Sequence, residues 1–145
     1  MVRAYNVRTG ALAWGWNPVH PDRPARDADG NFVAGSTNVW STISVDAERG
    51  LVIVPTGNSS PDYYGGHREG HMDYYSSSVV ALDAKTGAVA WHYQTVHHDI
   101  WDYDVPAQPT LVDVRIDGND RPAVVQVTKM AVSYTHLTLP TILLV

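Results

Sequence analysis

Short runs of alternating apolar and polar residues, broken by Gly and Pro every ~10–12 residues, dominate the chain and predict strands joined by tight turns. AYNVRTGALAW (Ala4 to Trp14) and ALDAKTGAVAW (Ala81 to Trp91) share Ala, Thr, Gly, Ala, Ala and Trp in register, 77 positions apart. Each reads as strand, Thr-Gly turn and return strand. WSTISVDAERGLVIVPTG (Trp40 to Gly57) predicts another hairpin around Asp-Ala-Glu-Arg-Gly, and QPTLVDVRIDGNDRPAVVQVTK (Gln108 to Lys129) a further one around IDGND.

These hairpins group naturally. Trp40–Gly57 and Ser77–Gln94 together supply one four-stranded antiparallel unit, preceded by a last hairpin (residues 2–16) and followed by a first one (108–129). Radial repetition of four-stranded sheets is a β-propeller. The expected fold class is therefore all-β, with one complete blade and parts of two neighbours. Two long insertions interrupt the plan, Asn17 to Val39 and Asn58 to Ser76. The first has the composition of a linker, but long loops on a regular scaffold are also where sites are built.

The last stretch, AVSYTHLTLPTILLV, breaks the pattern. It resembles translated adapter read-through more than a native edge strand with a Pro kink. The reading takes residues 1–129 as propeller and 130–145 as a non-native tail.

Composition narrows the function. Five Trp and eight Tyr against one Phe suit pleated, half-buried surface. A net charge of −5, with no Lys/Arg cluster, argues against nucleic acid as a partner. No cysteine is present, so disulfide and thiolate chemistry are excluded. No window approaches the ~18 consecutive apolar residues of a membrane span.

The densest chemistry lies in TVHHDIWDYDVPAQP, with two His and three Asp in fifteen positions. Such side chains are hard to bury together unless paired or ligand-bound. Read as a strand, His97, Asp99, Trp101 and Tyr103 share one face, and His98, Ile100, Asp102 and Asp104 the other. The segment is either a solvated acidic loop or the seat of a carboxylate base or metal ligand. Zinc is disfavoured: no closed ligand set is visible, and His67 and His71 sit in a Gly-rich loop rather than on a helix. Trp40 is either packing or a flat platform for a planar ring. TGNSSPDYYGG offers ordinary turn chemistry or hard oxygen ligands. Lys129, ending an apolar strand, either guards an edge or places a cation over a developing anion.

GNSSPDYYGG, the DAKTGAVAW hairpin and HHDxWDxDxPAQP, in this order, resemble the pyrroloquinoline quinone (PQQ) dehydrogenases, nearest their membrane-bound glucose and quinate/shikimate branches. The resemblance spans residues 2 to 129. It implies a piece of an eight-bladed, tryptophan-docked propeller enclosing PQQ and a divalent cation, Ca²⁺ or Mg²⁺. By position, Asp102 corresponds to the general base that deprotonates a sugar or polyol hydroxyl and to a metal neighbour. Trp40 corresponds to the indole lying against PQQ, and Lys129 to the lysine near the quinone oxygens. Asn58 falls where relatives place a metal ligand, and Ser60 where a small hydroxyl residue lies near the cofactor. His97 and His98 shape the surroundings of Asp102. The resemblance further implies a parent on the periplasmic side of a bacterial inner membrane, passing electrons to membrane quinone, with any anchor outside this segment. Glucose is the first expectation, quinate/shikimate or another polyol the second, and a non-catalytic propeller scaffold the reading from another class. The piece alone is expected to be inactive.

Overall fold

A computed structural model describes residues 1–24, 26–31 and 37–130, together with the backbone of 133–137. Positions 25 and 32–36 of the first insertion, and the tail beyond 137, lie outside the described residues.

The described residues form three antiparallel sheets. β1 (Val2–Tyr5) pairs with β2 (Leu12–Trp16). A four-stranded sheet follows in sequence order: β3 (Ser44–Asp46), β4 (Leu51–Pro55), β5 (Ser78–Asp83) and β6 (Val89–Gln94). β7 (Thr110–Ile116), β8 (Asn119–Val127) and β9 (Ser133–Leu137) make the third. This is the expected complete blade between parts of two others. Ser133–Leu137, taken from the sequence as part of a foreign tail, pairs along β8 from Val127 to Ala123. The predicted strand at Trp40 is shorter than expected, because only Ser44–Asp46 pairs with β4.

The middle strands of the blade are buried on both faces, so their sequences run apolar rather than alternating. Val52, Val54, Val80 and Leu82 point one way, into a core with Trp14, Trp16 and Tyr75. Ile53, Val79 and Ala81 point the other way, against Val105 and Val124. The period-2 pleat thus sends each strand's residues alternately towards the preceding and the following sheet.

The Thr-Gly repeat explains how the first of these contacts locks. In the turn after β5, Asp83 Oδ1 accepts from Lys85 N (3.0 Å), Thr86 N (2.8 Å) and Thr86 Oγ1 (2.8 Å). Asn6 plays the same part after β1, accepting from Arg8 N and Thr9 N. Gly87 closes the turn at φ +74°, and a Cβ there would stand 2.6 Å from the Trp14 ring. The indole therefore lies against bare backbone and donates its N–H to Ala84 O at 2.9 Å. Between β7 and β8, Asp117 (φ 50°) and Gly118 (φ 78°) form the two-residue turn that IDGND predicts.

Trp14→Phe keeps most of the ring contact but removes the donor to Ala84, and should cost about 0.5–1.5 kcal/mol. Trp14→Ala should cost roughly 3–5 kcal/mol through the cavity it opens. Urea unfolding of the two variants beside wild type checks the order, and equal losses would refute the hydrogen bond's contribution.

Candidate functional site

Hydrogen bonding in the blade continues past the ends of its strands, and the candidate site is built on that extension. Thr56 N donates to Ser78 O (2.8 Å), Ser77 N to Gly57 O (2.9 Å) and Thr95 N to Ser77 O (2.9 Å). Val105 N then donates to Thr56 O at 3.1 Å, fastening the loop after β6 beside the end of β4.

That loop contains HHDIWDYD, which is no strand. It folds back around Asp99, which is fully buried. Its carboxylate accepts from Ser77 Oγ (2.7 Å), Trp101 N (2.9 Å) and Tyr103 N (2.7 Å). Its main-chain oxygen accepts from Arg68 Nη2. Every donor that a buried carboxylate needs is thus supplied by the protein itself.

Asp102 lies between the two amides that Asp99 holds, at φ 60°, and its side chain is 28% exposed. Lys129 Nζ donates to Asp102 O (2.8 Å), Asp102 Oδ2 (3.2 Å) and Asp104 Oδ2 (3.3 Å). Tyr63 Oη adds a donor to Asp102 Oδ2 at 3.4 Å. Asp104 Oδ1 accepts from Asn58 N. The spacing that puts Asp102 and Asp104 on one face of an imagined strand survives in the loop, with Lys129 as their shared partner.

Gly57 links this cluster to Trp40. A Cβ on Gly57 would meet Asn38 Oδ1 at 2.8 Å, Asp104 Oδ1 at 3.0 Å and Trp40 Nε1 at 3.1 Å. Three polar atoms converge on that backbone, and only glycine leaves room for them. Trp40 itself is 55% exposed on this chain.

Sequence-expected residues fall into two groups. Trp40, Asp102 and Lys129 converge through Gly57 and Asp104. Asn58 is buried, and its side chain turns elsewhere: Oδ1 takes donors from Arg68 Nη1 (3.2 Å), Ser76 Oγ (3.2 Å) and Ser59 N (2.8 Å), and Nδ2 donates to Asp62 O. Ser60 is exposed, two residues beyond Asn58. His97 Nδ1 bonds Gln94 Oε1 and His98 Nδ1 bonds Asp73 Oδ2, each at 2.7 Å. Asp104, Gly57, Tyr63 and Arg68 were not singled out from the sequence. Only Asp104 carried a signal, its Asp-x-Asp spacing.

Electrostatics follow from this crowding. Partial burial works to lower the Lys129 pKa, but its bonds to Asp102 and Asp104 outweigh that and hold it raised. Partial desolvation, then the charges of Asp102 and Asp104, raise Asp62 against the pull of Arg68 and Lys129. Asp62, Asp102 and Asp104 thus outnumber Arg68 and Lys129 by one charge, and their hard oxygens are of the kind a divalent cation takes. Among the described residues no three His, Cys, Asp or Glu side chains form a metal-holding group. An exposed indole and an ammonium linked through Asp104 are groups that suit a planar anionic ring such as PQQ.

The family described as "PQQ: Glucose/ethanol/alcohol dehydrogenase, beta-propeller domain" matches residues 1–136. The chain is 43% identical over 125 residues to "Quinoprotein glucose dehydrogenase" of Escherichia coli, covering 86% of this chain and 16% of that protein. It is 44% identical over 136 residues to "Quinate/shikimate dehydrogenase (quinone)" of Acinetobacter baylyi, covering 92% and 17%. The crystal structure of quinohemoprotein alcohol dehydrogenase from Comamonas testosteroni superposes with a TM-score of 0.73 at 28% identity, covering 92% of this chain and 22% of that one. The chain thus spans about one sixth of the length of these curated relatives.

Lys129→Met should lower the urea midpoint by leaving Asp102 and Asp104 to repel each other. Because the folded pKa of Lys129 is raised, its contribution is complete below the unfolded value of about 10.5 and fades as pH rises through the folded value. The gap between wild type and variant should stay constant from about pH 7 to 9 and close in stronger alkali. A gap already closing near neutrality would show that the ammonium is not held this way.

Proposed function

The chain belongs to the PQQ-dependent glucose/ethanol/alcohol dehydrogenase β-propeller family, and from that premise we propose that the whole protein oxidises glucose or a related sugar or polyol. Electrons then pass to membrane quinone on the periplasmic side of a bacterial inner membrane. Among the described residues no helix is long and apolar enough to cross a membrane. In this reading residues 1–129 are the working part of the chain, and the stretch from 130 to 145 carries no role.

The observation that carries the proposal is the Asp102–Lys129–Asp104 cluster standing beside the open indole of Trp40. PQQ, when bound, supplies the acceptor for the hydride leaving the substrate carbon. Trp40 offers its exposed face for stacking and keeps that ring in one plane. Asp102 Oδ2, partly exposed, takes the substrate hydroxyl proton as general base. Lys129 holds three donors at the same edge, so its charge is placed where negative charge gathers. Ser60, exposed two residues beyond Asn58, is by likeness the small hydroxyl residue beside the cofactor. Asp102 and Asp104 are this chain's ligands for Ca²⁺ or Mg²⁺. Asn58 would join them only by exchanging its Arg68, Ser76 and Ser59 donors for the cation.

A second substrate, quinate or shikimate, is favoured by the likeness to the Acinetobacter baylyi relative, as strong as that to the Escherichia coli protein. Dye reduction by the complete protein, loaded with PQQ and Ca²⁺ or Mg²⁺, separates the two substrates. Asp102→Asn should reduce kcat by about 10²–10⁴-fold while PQQ remains bound. Turnover at the wild-type rate would remove Asp102 from the chemistry, and no reduction with any polyol would sink the proposal.

A further inference from the structure

Arg68 performs no step above, yet its side chain is wholly buried. A guanidinium is taken out of water only where its partners compensate. Here it donates Nη1 to Asn58 Oδ1 (3.2 Å) and Asp73 Oδ1 (3.0 Å), and Nη2 to Asp99 O. Three segments meet on this one cation: the loop just after β4, the 3-10 turn Gly70–Asp73, and the loop after β6.

The contacts lead to both carboxylates of the candidate site. Asp73 uses its second oxygen to hold His98 Nδ1 at 2.7 Å, so Arg68 and Asp73 together grip His98 and Asp99. Asp99 in turn holds the amides of Trp101 and Tyr103, on either side of Asp102. His98 (φ 47°) and Asp102 (φ 60°) both take left-handed backbone, which residues other than glycine keep only where their surroundings fix them. Towards Asp104 the route is shorter. Arg68 holds the Asn58 side chain, and the Asn58 backbone N–H donates to Asp104 Oδ1.

We infer that Arg68 is a positioning residue: it clamps the loop of residues 97–104 against the loop just after β4 and so sets the places of Asp102 and Asp104. Its consequence for turnover rests on the functional reading above; the clamp itself does not.

The test uses the complete, PQQ-loaded protein with Arg68→Met and Arg68→Lys. Two readouts are taken: kcat and KM with the better polyol, and hydrogen–deuterium exchange of the peptide spanning 97–104. Arg68→Met should speed exchange in that peptide and lower kcat by roughly 100-fold, with a much smaller change in KM and with the bound-PQQ absorbance retained. Lysine keeps the charge but reaches fewer acceptors, so Arg68→Lys should recover part of the lost kcat. Unchanged exchange at 97–104, or faster exchange with wild-type kcat, would overturn the inference. Should Arg68→Met fail to fold, Arg68→Lys decides alone: faster exchange and lower kcat support the clamp, and wild-type values for both refute it. If wild type oxidises no polyol while Arg68→Met still loosens 97–104, the functional reading fails and the clamp stands.

Discussion

The buried carboxylate of Asp99 is the constraint from which the site follows. A carboxyl group with no exposure must have its hydrogen-bonding capacity filled, or folding would cost several kcal/mol. Ser77, Trp101 and Tyr103 supply the donors, and two of the three lie in the same loop within four residues. Satisfying Asp99 therefore forces the chain to coil back on itself. That coil turns Asp102 outward, where Lys129 meets it. One aspartate is spent on structure so that another, three residues on, can face solvent.

The propeller plan decides where this happens. β4 and β5 are clad on both faces, by the Trp14 and Trp16 side and by the Val105 and Val124 side, so their lateral surfaces have no room for chemistry. Only the strand ends are free. There the ladder loosens into single bonds between Thr56, Gly57, Ser77, Ser78 and Thr95, and polar groups can be organised without disturbing the core. Trp14 against Gly87 fastens the preceding hairpin to the blade, and Val105 on Thr56 fastens the loop after β6 beside the end of β4. The site loop thus inherits rigidity from the contacts between sheets.

The hairpins were legible because local chemistry determines them. Period-2 runs, Thr-Gly after an Asn or Asp, and Asp-Gly in a two-residue turn each select one geometry without outside help. The convergence of Trp40, Asp102 and Lys129 was legible through likeness alone, since their separations of 62 and 27 positions carry no geometry. What could not be read was the division of labour among like residues. Asp99, Asp102 and Asp104 look alike in sequence, and their fates depend on Ser77, Arg68 and Asn58, which lie 22, 31 and 46 positions away. Asn58 shows the same limit: its amide lies beside a buried guanidinium that no local pattern announces. The stretch after Lys129 breaks the hairpin pattern and resembles adapter read-through, yet the open edge of β8 pairs with Ser133–Leu137, since backbone ladders place few demands on side chains.

The central claim is that Trp40, Asp102 and Lys129 bound a single PQQ site. A crystal structure of the complete protein with PQQ and Ca²⁺ addresses it most directly. The account predicts the cofactor ring flat on the Trp40 indole, with its quinone oxygens towards Lys129 Nζ and Asp102 within reach of the substrate position. PQQ seated away from Trp40, or against it with Lys129 and Asp102 on the far side of the blade end, would contradict the account.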